Sequence, residues 1–151
     1  MIRLIDVTED NYIEICKLAV SEEQLGYVAT SVRILASAYA NRNRNARAWA
    51  ITDDETIVGV LMVKDLFEEP VCYTIEQFMI DYRYQNKGYG KKALTLAIDM
   101  LSEERRYENI EVCVKMAAVN AVRMYYDIGF VDTGYVDDGA PDSYVLRYSF
   151  E

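Results

Sequence analysis

The sequence contains no histidine among its 151 residues. This absence excludes serine–histidine and cysteine–histidine catalytic pairs and every metal site that depends on imidazole. Cysteine is scarce as well: Cys16, Cys72 and Cys113 are widely spaced and form no C-x-x-C pair, so no disulfide framework or metal site is indicated. We expect Cys72 and Cys113 to pack in the core rather than to react. Any catalytic base must then be a carboxylate, and any acid a tyrosine, lysine or cysteine.

Long apolar runs are also missing. No stretch of about 18 or more apolar residues occurs and no signal-peptide pattern opens the chain, so we expect a cytoplasmic protein without a membrane partner. Aspartate and glutamate total 25 against 16 lysines and arginines, a net charge of −9. This charge disfavours nucleic acid and attracts polycations, although many proteins are acidic for solubility alone. Length and composition fit a single domain over residues 1–151.

The periodicity of apolar residues predicts the element order β-α-α-β-β-β-α-β-α-β-β. The predicted strands are 2–6, 48–52, 56–64, 71–81, 109–115, 130–137 and 143–150, and the predicted helices are about 8–19, 31–40, 88–104 and 119–128. The central strand–helix–strand unit indicates a parallel pair, and the flanking hairpins indicate antiparallel pairs. We therefore expect an α/β (α+β) fold, with a mixed, mostly antiparallel sheet of about seven strands and helices on both faces.

A glycine-bearing loop follows the long strand predicted at 71–81. It reads Gln85-Asn86-Lys87-Gly88-Tyr89-Gly90, and a helix begins inside it. The glycines allow a tight turn, and the first N–H groups of the helix, with the helix dipole, form a site suited to a pyrophosphate. Basic residues surround this loop in an otherwise acidic sequence: Arg83, Lys87, Lys91 and Lys92. It is neither a Walker loop nor a dinucleotide fingerprint, because the G-K-[ST] ending and the third glycine are absent.

Two segments together resemble a known family. The strand, the Q-x-x-G-x-G loop and the apolar-faced helix resemble the acetyl-CoA signature of the GNAT acetyltransferase superfamily. Downstream, AVRMYYDIGF at 121–130 resembles that family's A-x-R-x-Y-x-x-x-G-F helix and turn. The motifs occur in the family's order with a predicted strand between them, and the resemblance covers nearly the whole chain. It implies a GNAT fold and acetyl-CoA as co-substrate, with no metal.

The resemblance also implies roles for individual residues. Main-chain groups of three strand residues would pair with the pantetheine arm of coenzyme A: Phe78, Met79 and Ile80. The loop and the start of the helix would hold its pyrophosphate: Gln85, Asn86, Lys87, Gly88, Tyr89, Gly90 and Lys91. Tyr125, rather than its rival Tyr126, would face the thioester sulfur, because it lies four residues before Gly129. The family's frequent asparagine corresponds to Ala118 here, and we expect Asn120 to point elsewhere.

Acetyl transfer to an amine needs a base for the ammonium proton, an acid for the leaving thiolate and a donor for the oxyanion. Without histidine, Glu76 is the expected base and Tyr125 the expected acid, with an N–H near Met79 as the oxyanion donor. We expect direct transfer in a ternary complex, without an acetyl-cysteine. Taken alone, Glu76 fits a solvated strand residue and Tyr125 a packing ring; their place within the two motifs favours catalysis.

The substrate is indicated by narrower resemblances. IEQFMI at 75–80 is similar to the acidic strand of spermine/spermidine acetyltransferases, and VSEEQLGYVA at 20–29 is similar to a segment of bacterial polyamine acetyltransferases. We therefore expect a polyamine as the partner molecule. Carboxylates and an aromatic face suit such a cation. The candidates, each of which also fits a solvated charge or a packing ring, are Glu22, Glu23, Tyr27, Glu68 and Glu69.

The sequence is also compatible with other functions. The acceptor amine can instead be a protein N-terminus, an aminoglycoside or an amino acid. A chain that keeps the fold without catalysis would be an acyl-CoA-binding sensor, although the presence of both Glu76 and Tyr125 argues against it. The sequence also leaves the oligomeric state open, with a homodimer as one option.

Overall fold

The structure, a computed structural model, describes residues 1–151. Its strands are β1 (Ile2–Asp6), β2 (Arg47–Asp53), β3 (Thr56–Leu66), β4 (Cys72–Ile80), β5 (Asn109–Lys115), β6 (Val131–Asp132) and β7 (Ser143–Ser149). Its helices are α1 (Tyr12–Cys16), α2 (Ser31–Ala40), α3 (Tyr89–Glu104) and α4 (Val119–Ile128). Short 3-10 turns occupy Glu22–Gln24, Arg42–Arg44 and Tyr82–Tyr84.

All strands form one seven-stranded sheet in the order β1-β2-β3-β4-β5-β7-β6. The β4–β5 pair is parallel and is connected by α3, while every other neighbouring pair is antiparallel. A parallel pair needs a long crossover, and the strand–helix–strand unit provides it. The predicted mixed, mostly antiparallel sheet is therefore confirmed.

Helices cover both faces of the sheet, as predicted. The larger core packs the apolar faces of α3 and α4 against one face, around Leu94, Ile98 and Phe130. The smaller core, around Ile15, Ile34 and Met62, packs α1 and α2 against the other face. Both cores follow from the amphipathic spacing of the helices and the alternation of the strands.

Two predicted elements, 8–19 and 130–137, differ from the structure by more than two residues at an end, and the first of them also ends early, at Cys16. The helix predicted at 8–19 begins only at Tyr12, because the Asn11 side chain accepts a hydrogen bond from the Thr8 amide (2.8 Å) and closes a separate turn. The strand predicted at 130–137 ends at Asp132, whose carboxylate accepts the Gly134 amide (2.9 Å). In both places a short polar side chain bonds the nearby backbone and competes with regular structure.

None of the helices combines the length and the apolar character needed to cross a membrane. No group of three or more cysteine or carboxylate side chains is arranged to hold a metal ion.

Candidate active site

The central feature of the site is a split in the sheet. The parallel strands β4 and β5 pair only where Tyr73–Ile75 meets Ile110–Val112, although both strands continue further. Beyond this point they separate, and a cavity of about 830 Å³ lies between them, bordered by the loop after β4, by α4 and by the segment after α1. A cleft at the carboxyl ends of parallel strands is a common place for ligands in α/β proteins.

A β-bulge places Glu76 at the start of the split. Met62 and Val63 are consecutive on β3, yet they face Gln77 and Ile75 of β4, so Glu76 is an extra residue on its strand. A bulge leaves its extra residue unpaired and re-aims the side chain. The Glu76 side chain accordingly lines the cavity.

The open edge of β4 presents main-chain groups to the cavity. The Asp81 amide donates to the Val58 carbonyl on β3 (2.8 Å), and the main-chain groups of a strand alternate between its two edges. This alternation directs the groups of Met79 toward β3 and those of Phe78 and Ile80 toward the cavity. The geometry therefore favours Phe78 and Ile80 over Met79 for pairing with an extended ligand.

The loop after β4 is rich in unused donors. None of the main-chain amides of residues 85–91 donates to a protein acceptor, and the first amide to do so is that of Lys92. Asn86 (φ 63°) and Gly88 (φ 81°) adopt left-handed conformations that turn the loop, and Gly88 directly precedes α3. Such a run of free amides at a helix N-terminus is an anion site suited to a diphosphate. The residues predicted for the pyrophosphate all lie in this run.

The basic residues around the loop differ in their placement. Lys91 lines the cavity, whereas Lys87 lies outside it, with its ammonium 5.9 Å from the centre of the Tyr84 ring. Arg83 is engaged elsewhere, since its guanidinium pairs with the buried Asp81 carboxylate (2.9 Å). Burial by itself raises the pKa of Asp81, but the hydrogen bonds from Arg83 and from the Ala19 amide outweigh burial and lower it. Of the basic residues around the loop, Lys91 thus brings positive charge to the cavity and Arg83 does not.

Tyr125 reaches the cavity from the last turns of α4. Its ring is 4% exposed and packs edge-on against Phe130, with ring centres 5.2 Å apart. Its hydroxyl lines the cavity region without any hydrogen-bond partner in the protein, although it is not sealed from solvent. Burial raises the pKa of Tyr125, so the phenol stays protonated at neutral pH, the form that an acid requires. Tyr126 is exposed and faces a separate groove of about 310 Å³ on the outside of α4.

Glu76 and Tyr125 line the same cavity. One carboxylate oxygen of Glu76 forms an ion pair with Lys64 (3.4 Å), and the other has no partner in the protein. The side chain of Glu76 is 34% exposed and that of Lys64 is 16% exposed. A carboxylate and a phenol, each with a free oxygen, therefore border one space, together with the free amides of the loop.

The substrate candidates separate into two groups. Glu23 and Tyr27 line the cavity from the segment after α1. Glu22 does not line it, and Glu68 and Glu69 are exposed on the connection between β3 and β4, also outside the cavity. The structure thus brings together only two of the five candidates predicted for the amine.

Three further residues at the cavity differ from the expectations or are additional to them. Asn120 was expected to point elsewhere but lines the cavity, because residues 120, 121, 124 and 125 share one face of α4 at helical spacing. Cys113 was expected in the core but lines the cavity; alternation along β5 buries Ile110, Val112 and Val114 and turns Cys113 the other way. Cys72 is buried, as expected. Gln24, which carried no sequence signal of its own, also lines the cavity.

Comparison with known proteins adds a family match. A model of the acetyltransferase (GNAT) family matches residues 12–130. The chain is 31% identical over 137 residues to the spermine/spermidine N(1)-acetyltransferase of Bacillus subtilis (strain 168), with 87% of this chain and 88% of that protein covered.

Two solved structures are similar in fold. One is the spermidine N-acetyltransferase of Vibrio cholerae in complex with CoA and spermine, at a TM-score of 0.71 and 18% identity, covering 97% of this chain and 92% of that one. The other is the aminoglycoside acetyltransferase AAC(6')-Ib in complex with coenzyme A, at a TM-score of 0.81 and 14% identity, covering 99% and 95%.

Proposed function

This chain belongs to the acetyltransferase (GNAT) family and is an acetyl-CoA-dependent N-acetyltransferase, and we propose that its acceptor is a polyamine such as spermine or spermidine. The observation that carries the proposal is the cavity itself, which combines two carboxylates, Glu23 and Glu76, with the ring of Tyr27. An extended polycation is recognised by carboxylates along its length and by an aromatic face. The 31% identity to a spermine/spermidine acetyltransferase supports the same acceptor.

Acetyl-CoA fits the residues on both sides of the split. The free amides of residues 85–91 suit its diphosphate, and Lys91 adds a positive charge beside them. The cavity edge of β4 suits the amide groups of its pantetheine arm, which would extend the sheet like a short additional strand. The groups available there are the amide and carbonyl of Phe78 and the amide of Ile80, because the Ile80 carbonyl already accepts a hydrogen bond from the Gln85 side chain (2.8 Å). This arrangement directs the thioester toward Glu76 and Tyr125.

In the proposed reaction, Glu76 attracts the substrate ammonium and accepts its proton. An alkylammonium in water has a pKa about 6 units above that of a carboxylate, a difference of about 8 kcal/mol, so the proton must move on to solvent. The partial exposure of the Glu76 side chain, 34%, provides that route. The neutral nitrogen then attacks the thioester carbonyl, the new C–N bond forms and the C–S bond breaks.

Tyr125 has the complementary role in this proposal. Its phenol donates a proton to the departing sulfur, so the coenzyme leaves as a thiol, and the proton that the nitrogen loses as the amide forms restores the phenol through solvent. A main-chain amide at the open edge of β4 supplies the donor for the oxyanion, and alternation favours Phe78 or Ile80 over Met79 for this role. No cysteine carries the acetyl group, because the amine attacks the thioester directly.

An acceptor panel tests the proposal. Turnover of acetyl-CoA is measured with spermine, spermidine, putrescine, an aminoglycoside and a peptide, and the polyamines should give the highest kcat/KM. Glu23→Gln should raise the KM for spermine about threefold to tenfold, since it removes one charge-assisted contact. Glu22→Gln, the neighbouring carboxylate outside the cavity, is the matched control and should change KM little. Exclusive acetylation of peptides or aminoglycosides would overturn the acceptor while leaving the family intact.

A further inference from the structure

A pair of glutamine side chains joins the coenzyme loop to the amine end of the cavity. The Gln85 carboxamide donates to the Gln24 side-chain oxygen (2.8 Å) and accepts from the Gln24 side-chain nitrogen (3.0 Å). The same Gln85 nitrogen also donates to the Ile80 carbonyl (2.8 Å). Gln85 opens the Q-x-x-G-x-G loop, yet its side chain is fully used within the protein. Only its main-chain amide therefore remains for a diphosphate.

Gln24 also makes several hydrogen bonds within its own segment, residues 20–28. Its main-chain carbonyl accepts the amides of Tyr27 (2.9 Å) and Val28 (3.2 Å), and its side-chain oxygen accepts the amide of Ser21 (3.4 Å). These bonds shape the turn that carries Glu23 and Tyr27 into the cavity. The position of the amine contacts therefore depends on where Gln24 is held.

A second contact holds the same segment upstream. The Ala19 amide donates to the buried Asp81 carboxylate (2.9 Å), and the Ala19 carbonyl accepts the amide of Tyr82 (2.8 Å). The Gln24–Gln85 contact is a second polar contact that holds residues 20–28, whose ends also pack against the smaller core through Val20 and Val28. The loop that receives the coenzyme and the turn that faces the amine are thus tied together at two points.

We propose that Gln24 is a positioning residue that couples coenzyme binding to amine binding, an inference that rests on the proposed function. A diphosphate that binds the free amides of residues 85–91 fixes the conformation of the loop, including Gln85. Through the glutamine pair, the turn bearing Glu23 and Tyr27 is fixed as well, so the amine meets a preorganised site. Linkage requires the effect to be reciprocal: the amine tightens coenzyme binding by the same factor.

The test measures spermine binding by calorimetry in the absence and presence of saturating CoA, which lacks the acetyl group and permits no turnover. In the unchanged protein, CoA should tighten spermine binding by about tenfold, a typical coupling between two sites. Gln24→Met keeps the length of the side chain but removes its hydrogen bonds, and it should abolish this factor. Its affinity for CoA without spermine should stay within about twofold, because the loop amides are untouched.

Two further variants separate positioning from general damage. Gln24→Glu keeps an acceptor for Gln85 and Ser21 but loses the donated bond, so it should restore part of the coupling. Leu25→Met changes the exposed neighbour outside the cavity and should leave the coupling unchanged. Gln24→Met and Gln85→Met combined should lose no more coupling than either alone, since both remove the same contact.

The inference is overturned if Gln24→Met retains the full effect of CoA on spermine affinity. It is also overturned if this substitution weakens CoA binding to the same extent in the absence of spermine as in its presence. If Gln24→Met lowers the melting temperature but leaves the coupling unchanged, the inference is also overturned, because Gln24 then only stabilises the fold. If the unchanged protein binds and acetylates no polyamine at all, the proposed function fails first and this inference falls with it.

Discussion

The two ends of the β4–β5 interface use polar groups in opposite ways. Beside the closed end, Asp65 of the neighbouring strand β3 lies opposite Tyr73 of β4. Its carboxylate is 1% exposed and accepts bonds from Arg106 (2.6 and 3.0 Å), Asn45 (2.6 Å) and Tyr107 (3.1 Å). At the open end, the amides of residues 85–91 have no protein acceptor, and the Tyr125 hydroxyl has no partner.

This difference places satisfied buried contacts at one end and unpaired donors at the other. Buried polar groups without partners are costly, so proteins satisfy almost all of them. Where a group of donors stays free at the edge of a cavity, a ligand is the natural partner. The same parallel pair is therefore held together at its closed end and borders the cavity at its open end.

The Asp65 carboxylate at the closed end remains ionised, because its hydrogen bonds and the charge of Arg106 lower its pKa by more than burial raises it. Burial alone raises the pKa of Asp65, but hydrogen bonds from Arg106 and Asn45 and the charge of Arg106 lower it below its ordinary value. Glu104 adds to the network by accepting bonds from Arg47 and from the Tyr73 hydroxyl (3.0 Å). One donor there, the Nε of Arg47, is buried without a partner. These contacts join β3, β4 and the end of α3 at the side remote from the cavity.

The largest predicted effect lies at the open end. Tyr125→Phe should lower kcat by about 100-fold or more, because it removes the proposed acid while the ring still packs against Phe130. Its melting temperature should stay within a degree or two, since the lost hydroxyl has no protein partner. Steady-state kinetics and thermal melts are the measurements, with CoA affinity checked by calorimetry.

Tyr126→Phe is the matched control for this substitution. Tyr126 is the adjacent residue but faces the outside of α4, so its loss should leave kcat unchanged. An unaltered rate in Tyr125→Phe, with CoA still bound, would point to another acid or to a sensor without catalysis.

The next largest effect lies at the closed end, where a substitution should lower stability but leave kcat unchanged. Asp65→Asn leaves Arg106 without its main partner and should lower the free energy of unfolding by about 2 to 3 kcal/mol. This value is below the usual loss for a broken buried pair, because Arg106 is 37% exposed and can turn to solvent. At low temperature, kcat should remain near that of the unchanged protein. A tenfold loss of kcat in a folded variant would contradict the division between the two ends.

The pH dependence of the unfolding free energy tests whether Asp65 is ionised in the folded protein. A carboxylate with a lowered folded pKa contributes stability that is present above its unfolded value, about 3.9 for Asp, and is lost as the pH falls through the folded value. The difference in unfolding free energy between the unchanged protein and Asp65→Asn should therefore shrink as the pH falls below about 4. Urea denaturation at pH 7, 4 and 3 measures it, and a constant difference would contradict an ionised Asp65.

Much of this architecture could be predicted from the sequence because local patterns determine it. The helix of α4 and the strand β5 were predicted with the bounds Val119–Ile128 and Asn109–Lys115, which the structure confirms. Both segments carry strong periodicity that agrees with their burial. The lengths of α1 and β6 were predicted wrongly, because the side chains of Asn11 and Asp132 accept hydrogen bonds from nearby amides and override the apolar pattern.

The site was predictable where the chemistry is carried by consecutive residues and not where it depends on distant ones. The run at 85–91 is a contiguous motif, so its role at a helix start could be inferred from the glycines. The Gln24–Gln85 contact spans 61 positions, and the bulge at Glu76 depends on the pairing of β3 with β4. No local pattern encodes either. The sequence predicts Arg83 near the anion site, but in the structure its guanidinium pairs with the carboxylate of Asp81. This pairing depends on the burial of Asp81, which the sequence does not show.

A smaller effect is predicted for two left-handed glycines, only one of which lies in the loop proposed to bind the diphosphate. Gly88 (φ 81°) and Gly134 (φ 75°) are both left-handed, and a methyl group added to either would meet no protein atom within 4 Å. Gly88→Ala and Gly134→Ala should therefore lose similar stability, about 1 kcal/mol each, from backbone strain. Only Gly88→Ala should also weaken CoA binding, by about tenfold, because it distorts the free amides. Calorimetric titration with CoA measures this, and equal CoA affinities of the two variants would contradict a diphosphate site in the loop.

The smallest predicted effect concerns the one cysteine at the cavity. Cys113 lines the cavity proposed to receive the thioester, so an acetyl-cysteine is the rival to direct transfer. Partial burial of its sulfur raises the pKa of Cys113, which keeps the thiol protonated at neutral pH and makes it a poor nucleophile. Cys113→Ala should therefore keep kcat within about twofold, since general acid–base groups and not the thiol carry the reaction. Mass spectrometry of the unchanged protein mixed with acetyl-CoA alone should detect no acetylated Cys113. A 100-fold loss in the variant, together with an acetylated thiol in the unchanged protein, would replace direct attack by a two-step transfer, and the open end would then hold a nucleophile as well as a binding cleft.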